Sequence, residues 1–361
     1  MGRYQSFAIP PARGASHIKH DIVCQDFSHS EDIDGICVAA VADGHGDANC
    51  MRSDRGAKFA VDCAIKGIHD FVKLYTALAT PASPAVADDV EEKSLSARVK
   101  GLFKIVLTRE EEGSESGEAA FSLPSSQNEW DREIRQRLIK YIIWSWREMV
   151  AEDHEANPFT AEELEKADEK YRKRYEAGGH VSKAYGCTLI ACAVTADYWL
   201  GIHIGDGRLS ALYADGGFGQ PVPWDEKCFL NATTSICDDD AFERARFYIS
   251  SDKENFPAAV FLCTDGVDDN YPVDGNEKHL FKLYRTVALT FAEEGFETTL
   301  EQLGELANSF ATKGKGDDTS IAGFVDMEAI KKTRALWEEQ EESGKGKEKS
   351  EKRIEKEEER I

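Results

Sequence analysis

The chain has 361 residues and carries 67 Asp and Glu against 44 Lys and Arg, a formal net charge of −23. With 41% hydrophobic and 10% aromatic residues it holds enough apolar mass for a real core, which excludes a wholly disordered chain. So acidic a balance argues against broad nucleic-acid binding, which needs Lys and Arg on phosphates, and against docking on anionic lipid.

In chain order, the segment Met1 to Ala15 has no apolar core of signal-peptide length, and no stretch approaches 18 consecutive apolar residues. No nucleic-acid partner, no membrane contact and a cytoplasmic location are therefore expected. Residues 33–42 end in a strand-like apolar run that stops at Asp43-Gly44-His45-Gly46. Helical spacing follows over 55–75, through Phe59, Cys63, Ile68, Phe71 and Val72. Segments 79–96 and 110–128 are rich in Pro, Glu, Ser and Gly and read as loops. A helix is expected over 129–151, with Trp130, Ile134, Leu138, Ile142, Trp146 and Met149 on one face, and another over 161–176. Strands are expected at 187–194, 198–204, 209–213, 258–263 and 320–325, and helices at 278–293 and 299–311. Strand follows strand directly between 187 and 213, which favours an α+β layered fold over a doubly wound parallel sheet. Residues 76–180 read as a helical, partly mobile insertion into a domain spanning 1–326. Residues 327–361 read as a charged tail, solvated helix or disorder. The insertion or the tail could bind a partner.

The nine cysteines are odd in number, scattered and without a C-x-x-C, so neither a disulfide framework nor a zinc site is expected, and a reducing compartment fits. The aspartates are more informative. Asp-Gly occurs six times, and each alone is a turn signal. Three differ: Asp43, Asp206 and Asp265 each close a buried-looking strand, and Asp317 precedes the strand Ser320 to Val325. Carboxylates at strand ends can converge at one end of a sheet sandwich, where they are costly together unless a cation neutralises them. An all-oxygen donor set suits Mg²⁺ or Mn²⁺.

At this point the residues carry a resemblance. Asp43-Gly44-His45-Gly46 resembles the DGHG signature of the metal-dependent Ser/Thr protein phosphatases, the protein phosphatase 2C family. Cys24-Gln25-Asp26 resembles the family's N-terminal acidic motif, and Tyr185-Gly186-Cys187-Thr188-Leu189 its Gly-x-Thr strand opening. Gly205-Asp206-Gly207-Arg208 resembles GDSR, Thr264 to Asp269 resembles DGxxD, and Gly316-Asp317-Asp318-Thr319-Ser320 resembles the closing motif. Six motifs stand in the family's order over residues 24–320. The resemblance implies a four-layer α-β-β-α sandwich of two antiparallel sheets flanked by helices, and removal of phosphate from phosphoserine and phosphothreonine of proteins. It implies two metal ions, Mn²⁺ or Mg²⁺, and the third, weaker position seen in some members. Asp43 and the Gly44 carbonyl would bind metal, with Asp265 and Asp317 completing the shell. Asp206, Asp265 and Asp269 would match the third position. His45 would be the general acid, and Asp26 would organise water at the metals.

Physical chemistry agrees with those roles. Two divalent metals can activate a water for in-line attack, and a serine or threonine alkoxide leaves poorly without an acid. No nucleophilic Cys or Ser is then needed. Four departures from the family pattern stand out. The position where many members carry a phosphate-binding Arg is Asp21, leaving Lys19, His17, His20 or Arg13 as candidates to grip phosphate. Gln25 replaces an acid, Asp47 stands near the second glycine of DGHGG, and the GDSR serine is Gly207. Asp268 reads as a spare, solvated or capping acid, and His203 as packed within its strand. Two alternatives stand beside the protein phosphatase: a metal-binding pseudophosphatase acting as a scaffold, and a phosphatase of small phosphomonoesters.

Overall fold

The computed structural model describes residues 3–79, 124, 126–228 and 233–358. Its strands are β1 (Gln5–Ala8), β2 (Phe27–Ile33), β3 (Ile36–Ala42), β4 (Leu189–Val194), β5 (Trp199–Ile204), β6 (Arg208–Tyr213), β7 (Phe218–Gly219), β8 (Arg246–Ser250), β9 (Pro257–Cys263) and β10 (Ile321–Val325). They form two five-stranded sheets, ordered β2-β3-β4-β5-β8 and β1-β10-β9-β6-β7, and every pairing is antiparallel. The helices are α1 (Ala15–His20), α2 (Ser53–Ala79), α3 (Gln127–Glu133), α4 (Lys140–Ala156), α5 (Ala161–Lys166), α6 (Glu169–Glu176), α7 (Ala241–Arg244), α8 (Asp265–Asp268), α9 (Asn276–Glu294), α10 (Phe296–Lys313) and α11 (Met327–Glu358).

Strand alternation builds the layers. In β3 every residue is buried. Val38, Ala40 and Ala42 face the α2 and α4 side, while Cys37, Ala39 and Val41 face the other sheet. Ile190 and Cys192 in β4, Val260 and Leu262 in β9, and Ala322 and Phe324 in β10 fill the space between the sheets. The opposite face of β9, through Ala259, Phe261 and Cys263, packs on Leu280, Tyr284, Val287 and Phe291 of α9. Three apolar seams separate four layers, so the chain is an α+β sandwich of two antiparallel sheets between helical layers.

The expected strands all form, but β1, β2, β7 and β8 were not legible. β2 is a polar edge strand, and Asp34-Gly35 turns it into β3 with φ of 55° and 78°, as a tight hairpin needs. The helix expected over 129–151 extends from Gln127 to Ala156, with a wider π turn over Ile134–Ile139. Its apolar face is not left open: Trp130, Ile134, Leu138, Ile142 and Trp146 are buried in one cluster with Ile65, Ile68, Phe71 and Tyr75 of α2. The single helix expected over 161–176 is two, α5 and α6. The break is at Asp168, which exchanges two 3.0 Å hydrogen bonds with Asn49 and starts α6 from an extended backbone. The tail begins packed: Ile330, Thr333 and Trp337 of α11 are buried, and Trp337 Nε1 donates to the Gly216 carbonyl at 3.1 Å. The loops expected at 79–96 and 110–128 lie almost wholly outside the described residues. Among the described residues, no helix is long and apolar enough to cross a membrane.

Candidate active site

Four strand ends open onto one cavity of about 980 Å³ at one end of the sandwich. β3 delivers Asp43, the β5–β6 turn delivers Asp206, β9 runs into Asp265, and Asp317 precedes β10. The first two leave one sheet and the last two the other. Asp43, Gly44, His45, Asp206, Asp265, Asp269 and Asp317 all line the cavity. Carboxylate oxygens of Asp43, Asp206 and Asp265 lie within 4.8 Å of one another. Asp26 lies behind them, buried, and accepts a 2.7 Å hydrogen bond from Thr264 Oγ1.

The Gly-x-Thr segment holds the first acid in place. Asp43 N–H donates to Thr188 Oγ1 at 3.0 Å, Thr188 N–H returns a 2.8 Å bond to the Asp43 carbonyl, and His45 N–H donates to the Gly186 carbonyl at 3.1 Å. Asp318 ties the other side. Its two oxygens accept from Gly14 N–H at 2.7 Å and Gln25 N–H at 2.5 Å, and His17 Nδ1 sits 2.9 Å from it. Gln25 in turn donates to Ser53 Oγ at 2.7 Å, so this position tethers α2 to the acidic loop. Gly207 has a steric reason: a Cβ there would overlap the Cys263 carbonyl, which leaves no room for the serine of GDSR.

The electrostatics of the cavity are one-sided. Among the described residues eight carboxylates line it, Asp43, Asp47, Asp206, Asp238, Asp265, Asp268, Asp269 and Asp317, against the three cations Lys183, Arg208 and Lys315. Burial first, then mutual repulsion, pushes the carboxyls of Asp43 and Asp265 well above their ordinary range. Burial raises Asp206 and Asp317 too, and lifts Asp26 to about 7. Burial, followed by the field of Lys183, pushes His45 down to about 4, and its Nε2 has no hydrogen-bond partner. A hard divalent cation bound by oxygen fits this donor set, because it would remove the repulsion that holds protons on Asp43 and Asp265.

Of the phosphate-binding candidates, His17 lines the cavity, while Lys19, His20 and Arg13 do not. Asp21 ends α1 in a left-handed conformation and lies exposed, 3.6 Å from Arg13. Asp268 is neither solvated nor a mere cap. It is buried, paired with Arg208 at 2.8 Å, and raised to about 7 by burial. Arg208 also stacks over Trp224, 3.9 Å from the ring centre. Sequence reasoning missed Lys183, Arg208 and Trp224 as cavity residues. The signal for Arg208 was its place beside Asp206; Lys183 and Trp224 carried none.

Comparisons with known proteins now bear on this geometry. Among solved structures, a bacterial serine phosphatase is 14% identical, with 90% of this chain and 97% of that chain covered and a TM-score of 0.43. The serine/threonine phosphatase Stp1 from Staphylococcus aureus is 13% identical, with 90% and 95% covered and a TM-score of 0.45. The Mycobacterium tuberculosis serine/threonine phosphatase PstP/Ppp is 12% identical, with 89% and 97% covered and a TM-score of 0.42. No curated protein matches in sequence. The family model described as Protein phosphatase 2C matches residues 13–305, a span that takes in Asp26, the DGHG turn, Asp206 and Asp265. On that match the chain belongs to the protein phosphatase 2C family.

Proposed function

We propose that the chain is a divalent-metal-dependent hydrolase that removes phosphate from phosphoserine and phosphothreonine of proteins. The observation that carries this reading is the convergence of Asp43, Asp206 and Asp265 oxygens within 4.8 Å on the cavity wall. Asp43, Asp265 and Asp317, with the Gly44 carbonyl, would hold two Mn²⁺ or Mg²⁺ ions, and Asp206 with Asp269 would hold a third. Bound metal supplies Lewis acidity toward the phosphoryl group and a water acidic enough to attack it. Asp26, buried behind the cluster with one oxygen held by Thr264, orients solvent at the acidic wall.

His45 donates the proton that the leaving serine or threonine oxygen requires. Burial first, then the Lys183 field, hold the ring neutral; a phosphate dianion entering beside it favours the imidazolium and raises it. The nine free cysteines suit a reducing compartment such as the cytoplasm. Asp43, Asp265 and Asp317, the candidate acids of the two main metals, line the cavity together with the leaving-group acid His45, which favours an enzyme over a scaffold.

The test is hydrolysis of a phosphothreonine peptide and of a chromogenic phosphomonoester, with Mn²⁺ and with chelator. Turnover that requires Mn²⁺ and disappears in Asp265→Asn is expected; absence of metal-dependent turnover on both substrates refutes the reading. His45→Ala should slow the peptide more than the ester with a good leaving group, and equal losses would remove His45 from the acid role.

A further inference from the structure

We propose that Lys183 grips the substrate phosphate; this rests on the phosphatase reading above. Lys183 lies in the short turn Val181–Tyr185 that leads into Gly186 and Thr188, the pair that clamps His45 and Asp43. Its carbonyl accepts from Gly186 N–H at 3.1 Å, and the Gly186 carbonyl accepts from His45 N–H at 3.1 Å, so the lysine and the histidine are two backbone hydrogen bonds apart. The turn is fixed from behind. Arg52 N–H donates to the Ala184 carbonyl at 2.8 Å, and the Tyr185 hydroxyl is held between Arg52 at 2.7 Å and Asp153 at 2.6 Å. The lysine stem is therefore delivered to the cavity wall by rigid backbone.

The three cavity cations are not equivalent. Arg208 is neutralised by Asp268 at 2.8 Å and stacked on Trp224. Lys315 is exposed at the rim, on the loop that carries Asp317. Lys183 is half-buried, lines the cavity beside His45, and has no ion-pair partner among the described residues. A half-buried ammonium that feels the field of Asp238 but makes no ion pair with it has its donors free for an anion entering the cavity. A phosphomonoester brings two negative charges, and an ammonium with three donors is a suitable point counter-ion for its non-bridging oxygens. Its position by His45 puts that counter-ion on the leaving-oxygen side of the cavity.

The test pairs turnover with direct binding. Wild type, Lys183→Ala, Lys183→Gln, Lys183→Arg and Lys315→Ala are loaded with Mg²⁺ and titrated with inorganic phosphate by calorimetry; KM and kcat are then measured on a phosphothreonine peptide. Loss of one charged contact predicts weaker phosphate binding and a higher KM in Lys183→Ala and Lys183→Gln, each by about ten- to a hundredfold, with a smaller fall in kcat. Lys183→Arg should restore most of both. Unchanged phosphate affinity in Lys183→Ala and Lys183→Gln overturns the assignment, as does a larger loss in Lys315→Ala. A fall in kcat alone, with phosphate affinity intact, also overturns it. If wild type binds phosphate through Lys183 yet never turns over peptide, the phosphatase reading fails and the anion site stands. If it turns over peptide with phosphate affinity indifferent to Lys183, the reverse holds.

Discussion

Arg52 holds Glu163 through two parallel hydrogen bonds, Nε to Oε1 at 2.7 Å and Nη2 to Oε2 at 2.9 Å. The same guanidinium donates to the Asn157 carbonyl at 2.6 Å and lies over the Phe159 ring, 4.6 Å from its centre. One buried fork thus docks the segment carrying α5 onto the start of α2, next to the turn that presents Lys183. Arg52→Ala leaves Glu163, Tyr185 and two carbonyls without their donor. It should destabilise by about 3 kcal/mol or more in chemical unfolding. Arg52→Lys keeps charge but loses the fork, and should recover less than half of that. A loss below about 1 kcal/mol in Arg52→Ala would show that the fork does not anchor the segment.

In the proposed metal site, Asp265 would trade stability for binding. Its carboxyl is raised, so in metal-free protein the folded state holds its proton more tightly than the unfolded state. That contribution is present at low pH and is lost as pH rises through the raised value. Metal-free wild type should therefore gain from Asp265→Asn at pH 7.5, by about 0.5–2 kcal/mol. The same variant should lose the Mn²⁺-induced rise in Tm, worth about 2.7 kcal/mol at a hundredfold excess over Kd in wild type. Calorimetry with and without Mn²⁺ reads both. A metal-free variant less stable than wild type would contradict the repulsion described for the cluster.

His203 gives a pH dependence of the opposite sign. It is buried in β5, its Nε2 has no partner, and burial with the nearby Arg246 and Arg208 holds it well below 6.5. The unfolded state then takes up the proton first. Stability from this site is complete above about pH 6.5 and declines as pH falls toward the folded value. Urea unfolding at pH 5.0 and 7.5 should show a smaller difference in His203→Leu than in wild type. An identical difference in the two proteins would exclude His203 as its source.

Gly56 sets the distance between α2 and the turn before β4. A Cβ there would overlap the Tyr185 carbonyl oxygen, and the Gly56 carbonyl accepts from Trp146 Nε1 at 3.0 Å. Helix propensity alone would favour alanine by about 1 kcal/mol. The clash is with backbone that cannot rotate away, so it should win, at a net cost of about 1–3 kcal/mol. Because that turn carries Lys183, phosphate affinity should fall with stability. Alanine that stabilises the protein would refute the close approach.

The sequence was most readable where one physical rule acted alone. β3, β4 and β9 are covered on both faces and read as apolar runs; α9 and α10 are covered on one and read at helical spacing. β1, β2, β7 and β8 were silent because they are the edge strands, short or interrupted by polar residues, and carry no continuous apolar run. The break at Asp168 depends on Asn49, 119 residues away, which no local pattern records. Within the site, acids at strand ends announced themselves through the Asp-Gly turns that follow them. Lys183 did not, because only the docking of its turn against His45 and Arg52 gives an ordinary surface-looking lysine its place. Asp318 was hidden in the same way, as a neighbour of Asp317 whose bonds run to Gly14 and Gln25.

Asp43 leaves one sheet and Asp265 the other, so the gap between their carboxylates is set by how the sheets rest on each other. The ruler for that gap lies in the middle of the sandwich, where Ile190 and Cys192 of one sheet share an apolar cluster with Val260 and Leu262 of the other. A substitution there that shifts one sheet by a fraction of an ångström would leave the protein folded yet detune its affinity for cations. Weakened cation binding at the proposed site would then be an early symptom of trouble in a core that never touches it.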